Sequence, residues 1–364
     1  MADRPSWSLC IATLNRREAL LRTLDYAKRQ TCPPAQIVVV DVSDDWQDVA
    51  VLAQAILSDA PGIVLDYTTS LIRSSATQRN EGIARCTGDI VFLLDDDSFL
   101  FPDCAERILD IYAADHQGAV AGVAAVLVPD LPPAAPDTAL GDLPQRKASG
   151  RRAGAGVKAR VLQTGIGRWF NRKILLQNKD ELFLKYDEPR HRAVPAALAG
   201  VVDVTAIAFM PGSATTVRRS IALAEPFDPA LRYYAAFEDL DAAYRYGRHG
   251  VVLRANDAHL HHFEAAGGRL KRQKLVIFQL LNMLIFLKRH AANPDTFVPL
   301  YRRLLRRRLL GEALKDLLSG RLTLPQARGV LRVMGLWRDV WARDTAEIEA
   351  WYPRIQQDIL DRLD

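Results

Sequence analysis

The chain has 364 residues, a formal net charge of +5 and an apolar fraction of 49%, which are ordinary values for a globular protein. Its four cysteines are scattered without a C-x-x-C spacing, which argues against both a disulfide framework and a cysteine zinc site. The chain begins without a charged leader and apolar core, and no apolar run reaches the roughly 18 residues of a membrane span. We therefore expect a reducing, cytoplasmic location.

The positive charge is concentrated in one segment of the chain. Residues 267–321 contain 13 Lys and Arg against three acidic residues, an excess of ten, which leaves the remainder about five units acidic. A basic patch of this kind indicates a local partner rather than a property of the whole protein.

Short apolar runs alternate with helical patterns through the first third of the chain. Buried strands are predicted at residues 8–13, 36–41, 62–67, 89–94 and 119–128, and helices at 49–57, 74–86 and 102–114. Asn15 is the candidate cap of a further helix that continues to about Gln30. This alternation predicts an α/β fold with right-handed crossovers and a parallel sheet covered on both faces. The layout is typical of nucleotide-binding proteins, although G-x-G-x-x-G and P-loop patterns are absent.

An acidic cluster follows the fourth predicted strand, in GDIVFLLDDDSFLFPD. Five apolar residues lead directly into Asp95, Asp96 and Asp97, at the strand end where open α/β sheets bind ligands. Adjacent carboxylates repel one another, and a cation that prefers oxygen ligands, Mg²⁺ or Mn²⁺, would neutralise them. The alternative is a solvated acidic turn before a helix, with Asp103 in the first helical turn.

The middle of the chain contains a second acidic pair and a group of histidines. Residues 129–158 are rich in Pro, Ala, Gly and basic residues and predict a mobile excursion, while residues 168–186 remain unassigned. A β-prone stretch at 201–210, short helices at 216–224 and 238–248, and a closing strand at 251–254 follow. Glu238 and Asp239 open the second of these helices, where favourable charge at a helix N-terminus is the alternative explanation. In a strand, His259 and His261 share one face and His262 lies on the other.

Beyond residue 268 the pattern is helical to the end. The apolar run 275–287 is too short to span a bilayer, and residues 304–318 include the basic cluster RRLLRRRLL. Two interpretations stay open: an interfacial segment lying on an anionic bilayer, or a helical cap with snorkelling arginines. Nucleic acid is a third possible partner, but no binding motif accompanies the patch.

Four segments, in this order, resemble glycosyltransferase family 2, whose fold is called GT-A. They are ATLNRREALLRTLDYAKRQTCPPAQIVVVD, ATQRNEGIARCTGDIVFLLDDDSFLFPD, PGSATTVRRSIALAEPFDPALRYYAAFEDLDAAYRYGRHG and HLHHFEAAGG. The resemblance implies a Rossmann-like, mostly parallel sheet flanked by helices, with a C-terminal helical extension. It implies four regions: a nucleotide-sugar-binding half at 1–128, a variable insert at 129–199, an acceptor and catalytic-base half at 200–268, and the basic helices at 269–364.

The resemblance also implies roles for particular residues. Asp97 matches the D-x-D carboxylate that binds the Mn²⁺ or Mg²⁺ bridging the diphosphate of the donor, and His261 or His262 matches the histidine that helps to hold that diphosphate or the metal. Asp239 matches the general base, with Glu238 beside it. The positions implied for nucleotide-sugar binding are Thr13, Asp41, Arg79, Asp95 and Asp96.

Two departures from the family pattern qualify the expected activity. Val42 stands where the family usually has a second acid, so that a contact to the nucleoside base is missing unless Asp44 or Asp45 supplies it. The Q-x-x-R-W motif of processive synthases is absent, which favours the addition of a single sugar.

We therefore expect an inverting, metal-dependent transfer of one sugar from a nucleotide diphosphate donor to a saccharide or lipid-linked acceptor. The expected context is the synthesis of cell-surface polysaccharide or glycoconjugate, peripheral to the cytoplasmic face of the inner membrane if residues 269–321 contact it. A sugar nucleotidyltransferase is one alternative, although ATLNRRE lacks the glycine-rich loop of that class. A non-catalytic, membrane-associated nucleotide-sugar-binding protein is the other.

Overall fold

The computed structural model describes residues 4–133, 165–175, 193–233, 237–265 and 270–363. The chain divides into two compact units, the first comprising Met1–Arg146, Glu188–Tyr234 and Glu238–Arg269, and the second Lys147–Asp187, Ala235–Phe237 and Leu270–Asp364. Most of the predicted excursion at 129–158 and of the unassigned stretch 168–186 lies outside the described residues.

The strands of the described residues all belong to the first unit. They are β1 (Trp7–Thr13), β2 (Gln36–Asp41), β3 (Val64–Thr68), β4 (Ile90–Asp95), β5 (Ser98–Leu100), β6 (Val120–Leu127), β7 (Val204–Ala206), β8 (Thr215–Arg218) and β9 (Val251–His262).

The helices are divided between the two units. Those of the first unit are α1 (Arg17–Lys28), α2 (Trp46–Ile56), α3 (Ser75–Arg85), α4 (Cys104–Ala114), α6 (Arg219–Ala224) and α7 (Glu238–Tyr246). Those of the second unit are α5 (Gly165–Lys173), α8 (Arg272–His290), α9 (Phe297–Leu318), α10 (Pro325–Ala342) and α11 (Thr345–Arg362).

One mixed sheet organises the first unit, with strand order β3-β2-β1-β4-β8-β6-β9-β5 and β7 paired to β9. Strands β3, β2, β1 and β4 are parallel, and β6 is parallel to β9. Strand β8 is antiparallel to both β4 and β6, and β5 and β7 are antiparallel to β9. The predicted mostly parallel α/β sheet is confirmed.

The parallel strands form where the sequence places unbroken apolar runs. Every residue of β2 is buried, and so are the five residues that precede Asp95 in β4, as expected for strands covered on both faces. On one face, Trp7 packs against Phe92 with ring centroids 4.2 Å apart. Helix α1 buries Leu20 and Leu24 in the same core.

Several predicted boundaries are wrong, and each error has a local cause. Residues 215–218 form β8 rather than the start of a helix, because the β-branched segment TTV is buried between β4 and β6. Asn15 does not cap α1: it has φ +52°, and the cap position is Arg16, without a side-chain hydrogen bond. Strand β9 extends 12 residues to His262 instead of ending at residue 254, and β5 was not predicted.

The helices of the second unit enclose an apolar interior. The run Val276–Leu287 of α8 is almost entirely buried, so this segment is a core helix and is not available to a bilayer surface. Its polar Asn282 accepts a hydrogen bond from the Tyr352 hydroxyl over 2.6 Å, and Tyr301 donates to the Leu280 carbonyl over 2.8 Å. Among the described helices, none is long and apolar enough to cross a membrane.

The close approach of β1 to the turn before β4 depends on Gly88. A Cβ at this residue would lie 2.6 Å from backbone atoms of Trp7 and Ser8. We expect Gly88→Ala to lower the stability of the first unit by about 1–3 kcal/mol, because backbone must shift to admit the methyl group. The matched change Gly62→Ala meets open space and should leave the melting temperature unchanged or slightly raised. Thermal unfolding followed by circular dichroism tests the pair, and equal melting temperatures would contradict the packing described.

Candidate active site

The acidic cluster lies at the carboxyl edge of the parallel strands, where β4 ends. The antiparallel pairing of β5 with β9 places Ser98 opposite His262, and the Phe263 amide donates to the Asp97 carbonyl over 2.9 Å. This pairing places His262, the last residue of β9, against the Asp95–Asp97 turn.

Asp95, Asp97 and His262 form a group that could hold a cation. One ligand atom from each lies within 4.8 Å of the others. The Nε2 atom of His262 is 3.1 Å from Asp97 Oδ1 and 3.5 Å from Asp95 Oδ2. Asp97 is completely buried, and among the described residues only His262 approaches its Oδ1, without a well-aligned hydrogen bond. A buried carboxylate oxygen left in this way suits a metal ligand, and two carboxylates with one imidazole fit a divalent cation such as Mn²⁺.

Two arginines hold the other oxygen of each aspartate. Arg16 Nη1 lies 3.4 Å from Asp97 Oδ2, which also accepts the Ala265 amide over 2.7 Å. Arg79 Nη2 lies 2.7 Å from Asp95 Oδ1. Each aspartate thus has one oxygen fixed by a guanidinium and the other directed toward His262. Although burial opposes ionisation, His262 and Arg16 lower the pKa of Asp97, so this carboxylate is ionised at neutral pH, as a metal ligand must be.

Arg16 was not identified from the sequence as a site residue. It is 13% exposed, and its Nη1 also lies 2.8 Å from Asp96 Oδ1. In the sequence, Arg16 could have been found as a basic residue shortly after the carboxyl end of the first strand, at the edge of the sheet where the three aspartates are predicted.

Asp96 is not one of the three residues of this candidate cation site. Its side chain accepts hydrogen bonds from Thr13 Oγ1 over 2.7 Å and from Arg16, and it is only 3% exposed. Burial raises the pKa of Asp96 to about 6 in spite of these partners. The structure therefore brings Thr13 and Asp96, two of the positions implied for nucleotide-sugar binding, to each other and buries the Asp96 side chain.

Asp41 lies at the end of β2 and is also enclosed. Its Oδ2 accepts the Tyr67 hydroxyl over 2.6 Å, and its Oδ1 accepts the Ser43 amide over 2.8 Å. Burial and the nearby Asp41 raise the pKa of Tyr67, which keeps the phenol neutral. Tyr67 is a second residue of this edge that the sequence analysis did not single out.

The two acids considered as replacements for the missing family acid are already paired. Asp44 accepts a hydrogen bond from Arg73 over 2.6 Å, and Asp45 is bound by Arg17. Val42 between these acids and β2 is 5% exposed.

Arg79 connects the acidic turn to the segment that follows β7. Besides Asp95, its Nη2 donates to the Gly212 carbonyl over 3.4 Å, and its guanidinium lies 5.3 Å from the Phe227 ring centre. Ser98 adds a second link, since its hydroxyl donates to the Ser213 carbonyl over 2.9 Å. The Pro211–Ser213 turn is therefore fixed to the Asp95–Asp97 turn.

Asp239 stands at the start of α7 and contacts the same turn. Its Oδ2 accepts the Gly212 amide over 3.3 Å, and its Oδ1 accepts the Leu240 amide over 2.8 Å. A Cβ on Gly212 would lie 3.2 Å from Asp239, so a glycine permits this approach. Burial and the negative charge of Asp95 raise the pKa of Asp239, which makes it a stronger base than an exposed aspartate.

Glu238 is the neighbour of Asp239 in α7. It accepts a hydrogen bond from Ser75 Oγ over 3.2 Å. Burial and the charge of Asp239 raise the pKa of Glu238 to about 8. Glu238 therefore retains its proton at neutral pH.

The other histidines lie outside this group. His261 stacks near Phe99, with ring centroids 6.2 Å apart, and its Nδ1 lies 3.1 Å from the Val128 carbonyl, to which it donates. His259 packs edge-on to Phe101. His261 and His262 are alternatives from the sequence alone, and of these two the structure brings His262 to the aspartates.

Comparison with known proteins shows which family and which fold this chain resembles. The model of glycosyl transferase family 2 matches residues 8–175, the region that contains β1–β6 and the acidic turn. The crystal structure of GalNAc-T7 with UDP, GalNAc and Mn²⁺ is similar with a TM-score of 0.50 and 13% identity, covering 84% of this chain and 55% of that one. The fold is the GT-A fold, and the predicted resemblance to glycosyltransferase family 2 is confirmed for residues 8–175, which are less than half of the chain.

Two curated relatives match part of the chain. The uncharacterized glycosyltransferase YwdF of Bacillus subtilis is 32% identical over 109 residues, which are 30% of this chain and 39% of that protein. The glucosyl-dolichyl phosphate glucuronosyltransferase of Haloferax volcanii is 31% identical over 123 residues, 34% of this chain and 37% of that protein. The chain therefore spans less than two fifths of each relative's length.

The raised pKa of Glu238 gives a pH-dependent prediction for stability. The unfolded chain ionises this carboxyl near its ordinary value of 4.5, whereas the folded chain does so at about 8, so the fold loses stability as pH rises between these values. We expect Glu238→Gln, measured with a chelator present, to raise the melting temperature increasingly from pH 5 to pH 8. Glu18→Gln, an exposed first-turn acid of α1, should show no such pH-dependent gain. A gain in melting temperature for Glu238→Gln that does not change with pH would contradict the raised pKa of Glu238.

Proposed function

We propose that the chain is a metal-dependent, inverting glycosyltransferase that moves one sugar from a nucleotide diphosphate donor to an acceptor hydroxyl. The observation that carries the proposal is the pairing of two acidic sets: Asp95 and Asp97 with His262, and Asp239 beside the Gly212 turn that Arg79 and Ser98 attach to them. One set suits a cation with a diphosphate, and the other supplies a base.

The cation set is suited to a donor's diphosphate. Bound Mn²⁺ or Mg²⁺ would offset the negative charge that develops on the leaving diphosphate. Arg16 and Arg79 keep one oxygen of each aspartate in place, and His262 contributes a nitrogen. Mg²⁺ takes oxygen ligands almost exclusively, so the imidazole favours Mn²⁺.

Asp239 is the proposed general base. As the acceptor oxygen attacks the anomeric carbon, Asp239 takes its proton, while the diphosphate leaves from the opposite face and the configuration inverts. The raised pKa of Asp239 lies closer to the pKa of the acceptor hydroxyl than the pKa of an exposed aspartate would. The hydroxyl itself becomes more acidic as its bond to carbon forms. Glu238, protonated at neutral pH, leaves the base role to its neighbour.

The donor site is proposed at the ends of β1 and β2. Thr13, Asp41 and Arg79 lie at this edge, but Asp41 is occupied by Tyr67 and Ser43. Because Val42 replaces an acid and both nearby aspartates are paired with arginines, the nucleoside base is proposed to bind without the contact that an acid at this position makes. The acceptor is proposed to be a saccharide or a lipid-linked saccharide, as in the synthesis of cell-surface polysaccharide or glycoconjugate.

Two rival functions predict different products. A sugar nucleotidyltransferase would release pyrophosphate from a nucleoside triphosphate and a sugar phosphate. A non-catalytic nucleotide-sugar-binding protein would release nothing. Incubation with a panel of nucleotide sugars and Mn²⁺, with assays for nucleoside diphosphate and pyrophosphate, separates the three; slow release of nucleoside diphosphate that a chelator stops supports the proposal.

Removal of the base should separate chemistry from binding. We expect Asp239→Asn to lower the turnover number by about 10²–10⁴-fold, the usual contribution of a general base, while thermal shifts with Mn²⁺ and the active nucleotide persist. Asp48→Asn, an exposed first-turn acid of α2, is the matched control and should keep full turnover. Turnover of Asp239→Asn equal to that of the control would exclude Asp239 as the base.

A further inference from the structure

Helix α9 of the second unit has an unusual outer face. Its exposed residues are Pro299, Leu300, Arg302, Arg303, Arg306, Leu310, Leu317 and Leu318. At 3.6 residues per turn these positions fall within an arc of about 160° around the helix axis. We call this set the outer face of α9.

The outer face is basic and contains no acid. The acids of α9, Glu312 and Asp316, are buried on the opposite side, where Asp316 accepts the Gln326 and Ala327 amides at the start of α10. Among the described residues, Arg302, Arg303 and Arg306 have no ion-pair or hydrogen-bond partner. Surface helices usually intersperse both signs of charge, so three unpaired arginines on one face indicate a negatively charged partner.

The same face exposes large apolar side chains. The exposed fractions are 47% for Leu300, 56% for Leu310, 51% for Leu317 and 62% for Leu318, and Leu322 just beyond the helix is 82% exposed. Because of these leucines, the outer face of α9 is unsuited to a purely ionic partner. A polyanion such as a nucleic acid would satisfy the arginines but would leave the leucines in water.

We propose that the outer face of α9 lies on an anionic lipid bilayer, parallel to its surface. Such an interface accepts arginines at the level of the phosphates and leucines at the boundary with the acyl chains. The proposal assigns the contact to α9 and not to the more apolar α8, because α8 is the interior helix of the unit. It is independent of the sugar-transfer reaction.

The test uses the full chain with vesicles of phosphatidylcholine, with and without 30% phosphatidylglycerol, in a sedimentation assay. We expect binding to the anionic vesicles to be at least tenfold tighter and to weaken with added salt. Arg302→Gln, Arg303→Gln and Arg306→Gln combined should weaken it by about 100-fold, since each basic residue near an anionic surface contributes roughly a factor of five. Leu310→Ser with Leu317→Ser should weaken it severalfold without any change of charge.

The control removes equal charge elsewhere in the unit. Arg332→Gln, Arg338→Gln and Arg354→Gln lie on α10 and α11 and are exposed; together they should change vesicle binding less than threefold. Melting temperatures within about 2 °C of the parent would establish that both triple variants are folded. Equal losses for the two triple variants, no effect of the serine changes, or tighter binding to a short DNA duplex than to the anionic vesicles would overturn the proposal.

Discussion

The structure of the first unit depends on how the acidic side chains at one edge of its sheet are either paired with positive charge or protonated. Asp95, Asp96 and Asp97 follow one another at the end of β4, and Glu238 and Asp239 open α7 against the turn to which Asp95 is linked. Carboxylates gathered in a poorly solvated edge raise one another's pKa values or require positive charge. Both responses are present: Asp96 and Glu238 have raised pKa values, while Asp97, beside Arg16 and His262, has a lowered one.

Because their surroundings differ, three chemically identical aspartate side chains suit different roles in the proposed function. Asp96 is enclosed by Thr13 and Arg16 and therefore supports the turn. Asp97 has one oxygen fixed and one turned to His262, which is the arrangement of a metal ligand with an organised surrounding. Asp239 is held by two backbone amides, and no guanidinium of the described residues lies on its oxygens, so its carboxylate is available to a proton. In the proposed function, environment rather than residue type thus separates the aspartate that supports the turn, the aspartate that binds the metal and the aspartate that acts as the base.

The elements that position this edge were predictable where they depend on local sequence. The continuous apolar runs before Asp41 and Asp95 predicted β2 and β4, and the positions of the acidic residues followed from them. What could not be predicted depends on contacts between distant residues. The inward orientation of Asp96 is set by Thr13, 83 residues away, and the selection of His262 over His261 is set by the pairing of β5 with β9. Strand alternation predicted that these two histidines diverge but not which one meets the aspartates. Strand β8 was missed because its four residues run directly into a helix.

The central claim is that Asp95, Asp97 and His262 together bind the cation that accompanies a nucleoside diphosphate. Crystals grown with Mn²⁺ and a nucleoside diphosphate, measured on both sides of the manganese absorption edge, test this most directly. The account predicts one strong anomalous peak within coordination distance of an oxygen of Asp95, an oxygen of Asp97 and Nε2 of His262. An anomalous peak at other carboxylates, or none while Asp97 remains bound only by Arg16, Ala265 and His262, would contradict it.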